Sequence, residues 1–136
     1  MRDGAIKVKF RFEEVGEEID WFGIYFRFGL PNPWLGGRSY LLYIRKNGEL
    51  EIVELPEVKP LGKKQYSTLN YHDEHILQFG IDGDDLVACI DNVEDFLKID
   101  GKLTYQSPGN VAVGCYDSTV SFKQVESVVR DTVNFD

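Results

Sequence analysis

Between His75 and Asp91 the chain reads HILQFGIDGDDLVACID, with apolar residues at every second position on both sides of an acidic, glycine-bearing centre. Leu77, Phe79 and Ile81 alternate with Gln78 and Gly80; Leu86, Ala88 and Ile90 alternate with Val87 and Cys89. A period of two gives an extended strand one buried face, whereas a helix needs a repeat of about 3.6. Two such runs about Asp82-Gly83-Asp84-Asp85 make a hairpin. A chain built of hairpins must bury each sheet's apolar face against something, and with no long helix at hand that something is a second sheet.

The device recurs. Ile6, Val8, Phe10 and Phe12 alternate with Lys7, Lys9, Arg11 and Glu13. From Trp21 to Phe28, Phe22, Ile24, Phe26 and Phe28 make one face, and Trp21, Gly23, Tyr25 and Arg27 the other. Tyr40 to Arg45 and Leu50 to Leu55 flank Lys46-Asn47-Gly48-Glu49, where Asn-Gly predicts positive φ at both central turn positions. Leu42, Ile44, Leu50 and Ile52 then face the core, and Leu41, Tyr43 and Arg45 face away from it.

Gly29 to Arg38 is a loop carrying Trp34. Pro56 to Asp73 has no clear period, and Pro56 and Pro60 keep its first part out of a sheet interior. Asn92 to Leu97 is expected to form one short helical turn capped by Asn92. Val111 to Tyr116 and Val120 to Val129 supply the last strands. About eight strands result, and the expected fold is an all-β, two-sheet antiparallel jelly-roll sandwich. At 136 residues, positions 1–136 form one domain that buries roughly two-thirds of its unfolded surface.

A formal charge of −8 argues against nucleic acid, whose phosphates need a basic surface, and against an anionic membrane surface. No run of about 18 apolar residues is present, so no membrane-spanning helix is expected. The amino-terminal MRDGAIKVKF lacks the apolar core of a signal peptide, and the compartment stays undetermined. Cys115 shares a strand face with Val111 and Val113, while Cys89 lies opposite Leu86 and Ile90, so two thiols are expected rather than a disulfide.

Three constellations bear on chemistry. Glu18-Ile19-Asp20 looks like the start of an E-I-D-x-x-E glycosidase pattern, but Gly23 stands where the second glutamate belongs. A retaining glycosidase needs two carboxyl groups roughly 5 Å apart, so no catalytic residue is assigned. His72-Asp73-Glu74-His75 has metal-ligand composition, yet neighbours at a strand entry point apart and lack the helical H-E-x-x-H spacing; a polar loop end is the expectation. Asp82 to Asp85 is explained by turn chemistry, leaving a structural calcium open but unsupported, and no cofactor is called for. The remaining signal is a strand face of Trp21, Tyr25, Arg27, Tyr40 or Tyr43, and Arg45, with Trp34 on the adjoining loop. Aromatic rings stack on the apolar faces of sugars, and guanidinium groups donate several fixed hydrogen bonds. The plainer alternative is a sheet exterior that binds nothing.

Several segments carry a family resemblance: Trp21-Phe22-Gly23-Ile24-Tyr25-Phe26-Arg27, then Ser39 to Leu50, then Ile81 to Asp91, and finally Gly109-Asn110-Val111-Ala112-Val113-Gly114. In this order and spacing the chain resembles the concanavalin A-like lectin/glucanase superfamily. It is most similar to laminin-G-like domains, to carbohydrate-binding modules attached to levan-degrading enzymes, and to the domain named for 3-keto-disaccharide hydrolysis. The resemblance implies a glycan or polysaccharide partner received on a concave sheet or its rim loops, with Tyr25, Arg27 and Tyr43 in or near the groove. It implies a non-catalytic carbohydrate-binding module, with a glycoside or keto-sugar hydrolase as the alternative, drawing on Glu18, Asp20 and Asp73. A laminin-G-like module with a protein partner is the third reading. Phe122-Lys123-Gln124-Val125 departs from the family's Phe-Asp-Asn-Val, which weakens the case for a terminal calcium site. The chain is also expected to start after the family's first strand.

Overall fold

The computed structural model describes residues 4–15, 21–28, 38–70, 72–105, 110–116 and 118–129. They form β1 (Gly4–Val15), β2 (Trp21–Phe28), β3 (Ser39–Arg45), β4 (Glu49–Leu55), β5 (Lys59–Gln65), β6 (His75–Asp82), β7 (Asp85–Ile90), β8 (Leu97–Ile99), β9 (Asn110–Tyr116) and β10 (Ser118–Val129). Two five-stranded antiparallel sheets result, ordered β10-β1-β6-β7-β8 and β5-β4-β3-β2-β9. The two-sheet all-β class follows from the alternation, because the apolar half-sets of β1, β2, β3, β4, β6 and β7 face the opposite sheet.

The inner faces make one core. Ile6, Val8, Phe10 and Phe12 of β1 meet Phe22, Ile24 and Phe26 of β2, and Leu42, Ile44, Leu50 and Ile52 join them. Phe10 stacks on Phe22 across the sandwich at 4.9 Å, and Phe26 approaches Phe79 at 5.7 Å. Burial of side chains of this size contributes about 1.5–3 kcal/mol each before the entropy of ordering them is set against it. In the His75–Asp91 hairpin the pairs Leu77↔Ile90, Phe79↔Ala88 and Ile81↔Leu86 put all six apolar residues on the core face. Cys89 is buried and Cys115 exposed, and neither forms a disulfide.

Four local expectations change. At the β3–β4 turn Gly48 alone takes positive φ (+91°); its N–H donates to Arg45 O, and the Asn47 side chain accepts from Glu49 N–H. The left-handed residue is thus the third of a longer loop rather than both members of a two-residue turn. The aperiodic stretch after Pro56 contains β5, an edge strand whose register shifts opposite Ile52/Val53, so alternation is lost there and Pro60 is tolerated. Asn92 to Leu97 forms no helical turn: Asp91 and Asn92 both take left-handed φ, and Leu97 opens β8 opposite Ala88. Finally, β2 carries a register irregularity against β9 between Tyr25 and Phe28, and Arg27 within it has φ of +56°.

Candidate functional site

The outer face of the β5-β4-β3-β2-β9 sheet is where alternation directs Trp21, Gly23, Tyr25, Leu41, Tyr43 and Arg45. Cross-strand pairing sets the rows: Trp21 opposite Arg45, Gly23 between Gly114 and Tyr43, and Tyr25 between Ala112 and Leu41. Tyr25, Leu41, Tyr43 and Val53 form an apolar cluster there, edged by Trp21, Leu55 and Ala112.

Two glycines shape this surface. A Cβ at Gly114 would lie 2.8 Å from Tyr25 Cε2, so the Tyr25 ring occupies the space a side chain there would fill. A Cβ at Gly23 would meet Leu42 O at 2.7 Å and Tyr43 Cβ at 2.8 Å, so its absence lets β2 and β3 pack closely. Aromatic rings laid diagonally across neighbouring strands are a general way of covering such gaps. Tyr25 is 1% exposed and Tyr43 6%.

The six predicted residues therefore divide. Trp21, Tyr43 and Arg45 come together: the Trp21 and Tyr43 rings lie 5.4 Å apart at 45°, and the Arg45 guanidinium sits 5.0 Å above the Tyr43 ring. Trp21 and Arg45 are half-buried, so they keep an accessible edge. Tyr25 and Tyr43 are on the expected face but are buried within it, which corrects the expectation that these rings are displayed. Arg27 is a larger correction. The irregularity and left-handed φ turn it off the outer face, and it is fully buried. Its Nη1 donates to the carbonyls of Leu103 at 3.0 Å and Tyr105 at 3.2 Å, and its Nη2 to that of Gly83 at 2.6 Å. That guanidinium ties β2 to the β6–β7 turn and to the segment after β8. Trp34 lies outside the described residues, as do Glu18 and Asp20.

Carboxylates frame the cluster, and sequence reasoning missed them. The Tyr43 hydroxyl donates to Glu51, which β4 places directly opposite it. Glu49 stands 3.5 Å from Arg45. The signal was available: in a hairpin about Asn47-Gly48, Glu49 and Glu51 must share the outer face with Tyr43 and Arg45. Burial first, and Glu51 second, push the Tyr43 phenol well above its ordinary range. Burial, with the Cys115 sulfur as a smaller cause, pushes Tyr25 up to about 12. Both rings stay neutral at physiological pH, as rings that stack on apolar surface must.

The histidines of the His72–His75 run separate. His72 Nδ1 is 3.3 Å from Glu13, while His75 is buried with Nδ1 2.8 Å from Asp91. Asp73 accepts from the Asn70 amide at 3.1 Å in an exposed setting.

No family model matches the chain, and no curated protein matches it. Among solved structures it is similar to the carbohydrate-binding module CBM66 from Bacillus subtilis, with a TM-score of 0.69 and 12% identity over 95% of this chain and 76% of that one. It is also similar to sheep galectin-11 in complex with glycerol, with a TM-score of 0.61 and 14% identity over 90% of this chain and 91% of that one. At these identities the likeness concerns the sandwich fold.

Proposed function

We propose that this chain is a non-catalytic carbohydrate-binding module of concanavalin A-like descent, whose glycan lies on the outer face of the second sheet against Trp21 and Arg45, with Tyr43 buried beneath them. The observation that carries the reading is the grouping of a half-buried indole, a neutral phenol and a half-buried guanidinium, edged by Glu49 and Glu51. Such a surface offers an apolar platform for a sugar face and charged hydrogen-bond partners for its hydroxyls. The two similar sandwiches, one named as a carbohydrate-binding module and one as a galectin, support the same class of ligand. Tyr25, Arg27 and Tyr43, all buried, enter this reading as the platform's support rather than as contacts.

A glycan array followed by titration calorimetry tests it. Trp21→Ala and Arg45→Ala should each weaken binding at least about tenfold, roughly 1.4 kcal/mol, without loss of fold. Absence of binding to any neutral or acidic glycan would end the proposal. A protein-binding role is the second reading, favoured by Val111 and Val113 on edge strand β9, which are 37% and 38% exposed. Retention of a protein partner by a chain that binds no glycan would select it. Turnover of a chromogenic glycoside would select the hydrolase instead.

A further inference from the structure

The first sheet ends at β10 and β8, and the second at β5 and β9. A terminal strand turns a row of backbone N–H and C=O groups outward, so exposed edges are normally blunted by charge, proline, bulges or brevity. Three of these four edges carry such devices. β5 holds Lys59, Pro60, Lys63 and Lys64 and shifts register opposite Ile52/Val53. β8 is three residues long and centred on Lys98. β10 includes Lys123 and Glu126 and shifts register twice against β1. β9 is different: its sequence NVAVGCY has no charge and no proline, and its pairing with β2 is regular from Tyr116 to Ala112.

Among the described residues β9 has β2 as its one strand partner. Val113 pairs with core-facing Ile24, yet Val111 and Val113 stay 37% and 38% exposed. What fits this edge is a second copy of itself. Two chains of net charge −8 repel wherever acidic surfaces meet, and β9 is a strip along which they meet with no like charges opposed. Antiparallel pairing of identical strands closes on a two-fold axis, because each contact is returned by its counterpart. With the whole strand overlapped, that axis passes at Val113. Val111 then lies opposite Cys115 of the second copy, and Ala112 opposite its Gly114. Pairing β9 with another edge of the second copy would leave an edge free at either end, an open string of subunits.

We infer that β9 is a homodimer interface, along which two copies join their second sheets into one continuous ten-stranded antiparallel sheet. Strand alternation carries across the joint, so both outer faces look the same way. The two Trp21 positions then sit about 14 Å apart across the strands and about 20 Å along them, roughly 25 Å in all. Two glycan platforms at that spacing engage a polymer or a clustered surface together, which raises retention without any new contact. That bivalent use rests on the outer-face reading; the pairing of β9 does not.

Sedimentation velocity of the full chain across a concentration series tests the pairing. The expected result is a reversible shift from one chain mass to two, with no larger species. Val113→Lys sets like charges against each other on the axis and should weaken the dimer at least about tenfold. Its side chain is already 38% exposed, so the melting midpoint of the dilute chain should hold. Val58→Lys, 59% exposed on the β4–β5 turn at the other end of the sheet, should leave the dimer intact. Val113→Cys combined with Cys115→Ser should cross-link under mild oxidation into a species of two chain masses that reduction reverses. A monomer at every concentration, a dimer indifferent to Val113→Lys, or growth beyond two copies overturns the inference. On immobilised glycan the unaltered chain should be retained longer than Val113→Lys, while both bind a soluble monovalent glycan equally. Equal retention overturns the bivalent use. A dimer that binds no glycan supports the interface and overturns the outer-face reading.

Discussion

Replacing Arg27 by leucine separates a scaffold from a sugar contact. Leucine fills much of the stem's space and removes every donor. The Leu103 carbonyl is held in a fully buried bond, and an acceptor orphaned there costs about 1–3 kcal/mol. The bonds to Tyr105 and Gly83 are partly buried, so water recovers some of their value and each loses about 0.5–1 kcal/mol. Leucine gains a little from apolar burial, while the left-handed φ of +56° remains unrelieved. The net expectation is a loss of about 2–5 kcal/mol. A chain of 136 residues has roughly 7–20 kcal/mol to lose, so the variant stays folded at low temperature. Urea unfolding should show the midpoint lowered by roughly 1–2 M at unchanged slope. Glycan affinity, measured where the variant is fully folded, should be unaltered. A stability change under about 1 kcal/mol combined with lost glycan binding would refute the reasoning, because Arg27 would then be spending its donors on the ligand.

Other perturbations follow from the same geometry. Gly48→Ala combines positive φ with a Cβ 2.2 Å from Tyr66 O, so calorimetry should show a loss of more than about 2 kcal/mol; an unchanged melting temperature would contradict the close approach. Alkaline titration should destabilise the fold. Phenols that ionise near 10 in the unfolded chain keep their protons to about 12 at Tyr25 and Tyr66, where burial is the chief cause. Their contribution is complete below pH 10 and declines as pH rises toward 12; Tyr25→Phe should flatten that decline in pH-dependent unfolding. A thiol reagent under native conditions should modify Cys115 quickly and Cys89 slowly, since Cys89 is buried and its thiol is pushed up chiefly by that burial. Equal rates would place Cys89 at the surface.

Strands with a clean two-residue period were readable from residues alone: β1, β3, β4, β6 and β7 each bury the half-set their alternation names. β5 and β8 were not, because an edge strand with a bulge and a three-residue strand carry too little pattern to detect. Alternation also located Trp21, Tyr43 and Arg45 on one face, but it failed at Arg27, where a single left-handed residue reverses which side of the sheet a side chain meets. Nor did it foresee that Tyr25 and Tyr43 are buried on that face. The nearness of His75 to Asp91 was recoverable in principle. Extending the Asp82↔Asp85 register outward by six pairs brings Ile76 opposite Asp91, which puts the imidazole one step away.

β1 has its hydrogen-bonding partners in β6 and β10, so that Gly4 faces both Ile81 and Val129. During synthesis β1 therefore stands with both flanks unmet until β6, which begins 60 residues after β1 ends, has emerged, and one flank waits for β10. Assembly of that sheet is consequently a late, long-range event, slower than local hairpin closure and sensitive to any truncation that removes β10.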